Sequence, residues 1–241
     1  TGAMTNQPHI LLTGASRGIG KSIHEALEAG AGRVIRHASR AKGNLVGADF
    51  AMPGAASDLW AQAMERLDGQ VDVLVNNAGI FQANPLDGSD IAWLDSWEET
   101  MRINLTAAAE LCRLAVRHWQ ETGRPGRIVN VASRAAYRGD SPAHWHYAAS
   151  KAGMVAMTKS IARGYGSDGI LAFAVCPGFT MTGMADDYLA SRGGPELLKD
   201  IPLGRVAETS EIADIVKFCA LDAPASMTGA VIDANGASFV R

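Results

Sequence analysis

Short β-branched apolar runs alternate with longer helical stretches from one end of this 241-residue chain to the other. The strand candidates are His9–Thr13, Arg33–Ser39, Leu45–Ala48, Val71–Asn76, Arg127–Ser133, Leu171–Cys176 and Ala230–Asp233. Helical patterns lie between them at Gly18–Ala29, Ala55–Leu67, about Trp93–Thr122, Tyr147–Tyr165 and Ser210–Leu221. A run such as Val71-Asp72-Val73-Leu74-Val75 is apolar nearly throughout, which suits a strand covered on both faces. Such strands separated by helices predict an α/β fold: a mostly parallel seven-stranded sheet, doubly wound through right-handed crossovers, with helices on both faces. No repeat or linker interrupts the rhythm, and the length suits one domain over residues 1–241. Thr1-Gly2-Ala3, ahead of Met4, read as an expression remnant outside that domain.

Charge and cysteine usage narrow the function classes. Lys and Arg total 22 against 25 Asp and Glu, and no basic run offers a footprint for nucleic acid or anionic lipid. No apolar stretch reaches the length of a membrane span and no signal peptide pattern opens the chain, so the expected location is cytoplasmic. Cys112, Cys176 and Cys219 are an odd count without CxxC spacing, which suits buried free thiols in a reducing compartment. Nothing pairs His with Cys or carboxylates at metal-ligand spacing, so no metal is expected.

Two excursions break the alternation: Arg134–His146, and Thr180–Arg205 after Pro177-Gly178. Both follow strand C-termini, the edge where doubly wound sheets bind ligands, and the second reads as a substrate lid. Directly after the first strand stands Thr13-Gly14-Ala15-Ser16-Arg17-Gly18-Ile19-Gly20, and then a helix. Glycine permits positive φ and close backbone approach, and a helix start offers free N–H groups and partial positive charge. In this strand–turn–helix setting the run predicts a cradle for a dinucleotide pyrophosphate. Lys151 lies four residues beyond Tyr147, which places both on one helical face. A phenol ionises near pH 10 unaided, and a neighbouring cation favours its phenolate.

The G-x-x-x-G-x-G spacing differs from the G-x-G-x-x-G of other dinucleotide folds. Together with Asn76-Asn77-Ala78-Gly79, Asn104, Ser133, Tyr147-x-x-x-Lys151 and Pro177-Gly178, in that order, it resembles the short-chain dehydrogenase/reductase family from about Pro8 to the C-terminus. The resemblance implies a Rossmann-type domain and an oxidoreductase that moves a hydride between NADP(H) and a carbonyl or alcohol, with reduction the preferred direction. The closest general look-alikes are the 3-oxoacyl carrier-protein reductases. A sugar or cyclic-alcohol dehydrogenase is the rival, and a non-catalytic dinucleotide-sensing module is the alternative of another class.

The resemblance also assigns roles. Tyr147 is the general acid in reduction and the base in oxidation; Lys151 lowers its pKa and holds the nicotinamide ribose; Ser133 donates to the substrate oxygen. Asn104 would sit at a helix distortion and hold a water leading to Lys151; the competing reading is a polar residue bonded to its own turn. Gly14, Ser16, Arg17, Gly18, Ile19 and Gly20 form the pyrophosphate turn. Asp49 and Phe50 border the adenine, while Asn76, Ala78 and Gly79 border its ribose. Pro177, Gly178, Phe179, Thr180 and Thr182 meet the nicotinamide carboxamide. Ser39 stands where NAD-dependent members carry Asp, and Arg40 and Arg17 can reach a 2′-phosphate, which points to NADP(H). The competing reading of both arginines is solvated surface charge. Arg134 and Arg138 raise the option of an anionic substrate, against the commoner solvated role. The substrate is then a small to medium carbonyl compound or alcohol. Small residues at Ala107-Ala108-Ala109, Ala148-Ala149 and Ala152-Gly153 fit the helices that pair relatives into homodimers and homotetramers.

Overall fold

The computed structural model describes residues 7–182 and 194–241. Thr1-Gly2-Ala3 and the centre of the expected lid, residues 183–193, lie outside the described residues. Seven parallel strands form one sheet in the order β3-β2-β1-β4-β5-β6-β9. They are β1 (Ile10–Leu12), β2 (Val34–Ala38), β3 (Leu45–Gly47), β4 (Val73–Asn76), β5 (Gly126–Val131), β6 (Ile170–Pro177) and β9 (Val231–Ala234). The order reverses between β1 and β4, so the crevice of a doubly wound sheet opens above those two strands.

The near-continuous apolar character of the strands has its counterpart in two buried layers. Leu11, Leu74 and Ile128 point into one layer, with Leu59, Leu111 and Trp119 from the covering helices. Their neighbours Ile10, Leu12, Val73, Val75 and Val129 point into the other, with Ile23, Leu27, Ile212 and Val216. Alternate side chains of the central strands therefore enter opposite cores, while β9 at the edge is only half-buried. The helices α2 (Ala55–Arg66) and α4 (Ala107–Thr122) and the helix Trp145–Tyr165, through Ile161 and Ala162, cover the first face; α1 (Gly18–Leu27) and the helix Thr209–Lys217 cover the second. Trp119 locks α4 to the sheet by donating its indole N–H to the Val71 carbonyl at 2.7 Å.

The long helical pattern near Trp93–Thr122 is three elements. Helix α3 (Asp90–Met101), whose cap Ser89 accepts from the Ala92 N–H, runs into a π-helical turn at Arg102–Thr106 and then into α4. Each excursion holds local structure that periodicity does not reveal. Arg134–His146 contains a short helix, α5 (Ala135–Arg138), before α6 (Trp145–Tyr165). The described part of Thr180–Arg205 contains β7 (Thr180–Met181), which pairs in parallel with β8 (Ala207–Glu208), and a six-residue helix at Gly194–Lys199. These segments are too short for a repeating pattern, so neighbours rather than sequence period set their conformation.

Candidate active site

The glycine turn follows β1 at the reversal of strand order. Gly14 has φ of +67° and Gly18 of +52°, a region side chains rarely enter. A Cβ on Gly14 would fall 2.7 Å from the Ala78 Cα, and one on Gly20 would overlap the Gly14 carbonyl oxygen. The turn is tied to the β4 exit by two residues outside the expected set. The Thr13 hydroxyl accepts from the Asn77 and Ala78 N–H groups, both at 3.0 Å, and the Asn77 amide donates to the Thr13 and Gly14 carbonyls at 3.2 and 2.9 Å. Helix α1 starts at Gly18 with no side-chain cap and no acid in its first turn. An uncapped, acid-free helix start beside a close-packed glycine turn fits a pyrophosphate, whose oxygens would meet those N–H groups.

Ser16, Arg17, Ser39 and Arg40 are exposed around this end, and Ile19 lines the cleft. The Asp49 carboxylate accepts from the Ala51 N–H, and Phe50 is buried against the ring of His37, 4.4 Å between centroids. Asn76 differs from expectation. Its amide turns into the core, donating to Asn130 at 2.9 Å and to the Cys112 sulfur, so its side chain does not line the cleft. All four residues of β4 are buried, and Asn76 meets Asn130, its neighbour in register on β5. Asn77, one residue on, carries the contacts to the turn.

A cleft of about 300 Å3 runs from Ile19 and Thr182 to Ser133, Tyr147, Lys151 and Asp140. Gly79, Pro177, Gly178, Phe179 and Thr180 line it as well. The Ser133 hydroxyl and the Tyr147 phenol both line it, and Ser133 is the side chain that counters the effect of burial on the phenol. The Lys151 ammonium lies 5.8 Å from the Tyr147 ring centroid and donates to the Val131 carbonyl at 3.0 Å. Gly79 makes room beneath them, since a Cβ there would lie 3.3 Å from Asn104 Oδ1 and 3.4 Å from Lys151 Nζ. Asn104 is fully buried in the π-helical turn and does not bond to its own turn. It accepts from the Ile80 N–H at 2.8 Å, donates to the Ile80 carbonyl at 3.0 Å, and reaches the Ser150 hydroxyl.

Burial pushes the Tyr147 phenol up from its ordinary value, and Ser133 opposes that rise. Burial also brings Lys151 down to about 8, with Cys176 opposing. The ammonium's protein acceptor is the Val131 carbonyl, and loss of water is the leading influence on both groups.

Phe81, exposed at the mouth, stacks on His144 at 4.0 Å and meets the Tyr147 ring edge-on at 4.8 Å. Arg134 and Arg138 both face Asp200, at 3.8 and 2.7 Å, and Arg134 also bonds the Ser238 hydroxyl. These cations are partnered within the chain, which leaves little reason for an anionic substrate there. All three cysteines are buried and free. Among the described residues, no group of three His, Cys, Asp or Glu side chains could hold a metal ion. A larger cavity, about 540 Å3, opens between Leu203, Ile215 and Phe239, away from the hydroxyl–phenol–amine set.

A parallel doubly wound sheet, a glycine turn at its reversal point and a Ser–Tyr–Lys cluster at the same edge define a dinucleotide-binding α/β protein. Residues 14–236 match the family model for enoyl-(acyl carrier protein) reductase. The chain is 33% identical over 245 residues to the 3-oxoacyl-[acyl-carrier-protein] reductase of Escherichia coli (strain K12), covering 95% of this chain and 96% of that one. The corresponding reductase of Pseudomonas aeruginosa is 35% identical over 246 residues, with 95% and 96% coverage. The chain belongs to the short-chain dehydrogenase/reductase family. Among solved structures, a blue fluorescent protein from a metagenomic library in complex with NADPH superposes with a TM-score of 0.86 at 33% identity, covering 98% and 99% of the two chains. A protein from Agrobacterium tumefaciens, provisionally assigned as a 2-deoxy-d-gluconate 3-dehydrogenase with bound NADP, gives 0.86 at 29% identity and 98% coverage of each.

Proposed function

We propose that this chain is an NADP(H)-dependent oxidoreductase that interconverts a carbonyl group and an alcohol. The observation that carries this reading is the meeting of Ser133, Tyr147 and Lys151 at one end of a cleft whose other end is the glycine turn. Gly14, Gly18 and the start of α1 would hold the pyrophosphate; Arg17, Ser39 and Arg40 would face the 2′-phosphate; Asp49 and Phe50 would border the adenine. Ala78 and Gly79 would border its ribose, and Pro177 to Thr180 with Thr182 the carboxamide. When bound, NADP(H) supplies or accepts a hydride at its nicotinamide ring.

The chain's own residues manage the oxygen. In reduction, the Ser133 hydroxyl donates to the carbonyl oxygen as negative charge builds there, and Tyr147 delivers its phenolic proton. In oxidation Tyr147 takes that proton back. Lys151, held by the Val131 carbonyl, presents a cation near the phenol and to ribose hydroxyls. Asn104 braces the Ile80 main chain beside Lys151 and would position a water behind it.

The substrate proposed first is a 3-oxoacyl thioester, by analogy with the reductases from Escherichia coli and Pseudomonas aeruginosa. A sugar or cyclic alcohol is the second reading, supported by the Agrobacterium protein and by the pairing of Arg134 and Arg138 with Asp200. The chain acts as one domain, in the cytoplasm, as a homodimer or homotetramer, with Thr180–Arg205 as the substrate lid. Tyr147→Phe separates binding from chemistry: NADPH affinity should hold within a few-fold while turnover falls by about two to four orders of magnitude. Unchanged turnover would remove Tyr147 from the reaction. A panel of 3-oxoacyl thioesters, sugars and cyclic ketones, run with NADPH and with NADH, decides between the substrate readings.

A further inference from the structure

We propose that His37 is a positioning residue for the dinucleotide: its neutral ring, protonated on Nε2, holds the glycine turn against the Asp49–Phe50 segment, so that protonating the ring weakens cofactor binding. This rests on the reading that the glycine cleft takes NADP(H). His37 lies near the end of β2 and is 2% exposed. Its Nδ1 stands 3.2 Å from the Gly14 nitrogen, which can only donate, so Nδ1 must be the acceptor. Its Nε2 stands 2.8 Å from the Ala48 carbonyl oxygen, which can only accept, so Nε2 must carry the hydrogen. One neutral tautomer satisfies both ends. The ring face covers Phe50, 4.4 Å between centroids and 19° from parallel. The main chain adds a further tie, because the Ala15 N–H donates to the His37 carbonyl at 2.8 Å.

A single side chain thus spans the turn after β1, the exit of β3 and the aromatic that follows it, the three pieces that would surround the adenosine half of the cofactor. Protonation puts a second N–H on the ring, facing the Gly14 N–H. The acceptor is lost and two donors oppose each other. Gly14 already holds a positive φ, so the turn loses a restraint where its conformation matters most. The charged groups on the elements around the ring are Arg17 on the turn, Asp49 beyond β3, and Arg36 and Arg40 on β2 and its exit. None of them contributes to the shift of His37. Burial is the leading cause that lowers its pKa, and the Ala48 carbonyl opposes it. Affinity is therefore full above the ordinary histidine range and falls as pH drops below it, through the depressed value of the folded chain.

Calorimetric titration of the full chain with NADP+ and with NAD+, from about pH 8 down to about pH 5, tests this; NAD+ lacks the 2′-phosphate, whose own ionisation near pH 6 would overlap. His37→Asn keeps an amide oxygen near the place of Nδ1 and cannot titrate. His37→Phe keeps the ring on Phe50 without either hydrogen bond. The wild-type chain should lose about tenfold more affinity than His37→Asn over this range, for both dinucleotides, and His37→Phe should bind about tenfold more weakly even at pH 8. Melting curves at each pH establish that the proteins compared are folded, and the Asn variant carries the test if the Phe variant does not fold. Parallel pH profiles for wild type and His37→Asn would overturn the inference alone. A wild-type chain that binds neither dinucleotide at about pH 8 would overturn the cofactor reading and this inference with it.

Discussion

Lys151 shows how function can oppose stability in one residue. Its ammonium is buried, its protein acceptor is the Val131 carbonyl, and burial brings its pKa down to about 8. Because the folded value lies below the unfolded one, the unfolded chain binds the extra proton between about pH 8 and about pH 10.4, and stability rises with pH across that window. Lys151→Met should remove that rise and stabilise the protein by on the order of 1–3 kcal/mol at neutral pH, while turnover collapses. Urea unfolding near neutrality and in mild alkali checks both halves; a destabilised variant would contradict the desolvation argument. Arg40 belongs to the same scale. It is exposed with no buried surroundings to strengthen it, so Arg40→Ala should weaken NADPH more than NADH by about 1–3 kcal/mol, with no change in melting temperature. Equal weakening of both dinucleotides would deny it the 2′-phosphate.

The π-helical turn between α3 and α4 connects residue chemistry to the shape of an element. Its extra width brings the Asn104 amide round to both main-chain groups of Ile80, beside Gly79 and Lys151 on the cleft wall. π-bulges inside α-helices recur at functional sites, and here the reason is visible in the bonds they permit. Asn104→Ala should leave the Ile80 N–H and carbonyl without these partners and cost about 1–3 kcal/mol. Hydrogen exchange at the Ile80 amide should quicken and turnover should fall, whereas unaltered exchange would mean that another group takes over the bond. The helix itself was legible from the spacing of apolar residues, although periodicity merged three elements into one. A π turn inserts a residue without breaking the apolar stripe strongly enough to show in a short window. The uncapped start of α1 was legible as a glycine-rich strand–helix junction, because its requirement for positive φ is local.

At the scale of the molecule, the parallel sheet places both ends of the cleft on one edge, so cofactor binding should brace elements far apart in the chain. β1 and β4 meet through Thr13 and Asn77, and β6 leads into the Pro177–Thr182 wall. NADPH at about a hundred times its dissociation constant should stabilise the fold by about 2.7 kcal/mol, which for a domain of this size raises the melting temperature by about 5–10 °C. A scanning fluorimetry shift confined to about a degree would argue that the cleft is not a preformed cofactor site.

The amino-acid sequence alone determined what depends on neighbours within a few positions: the strand–helix alternation, the glycine turn after β1, and the common helical face of Tyr147 and Lys151. These follow from the periodicity and steric limits of the backbone. Only the tertiary structure decided the partnerships between distant residues. It turned the Asn76 amide to Asn130 and Asn77 to the turn, set Asp200 against Arg134 and Arg138, and buried the Tyr147 phenol. It also joined His37 to Gly14 across 23 positions. Strand register and the packing of covering layers fix which distant groups meet and how much water they lose, and neither quantity is carried by any local pattern.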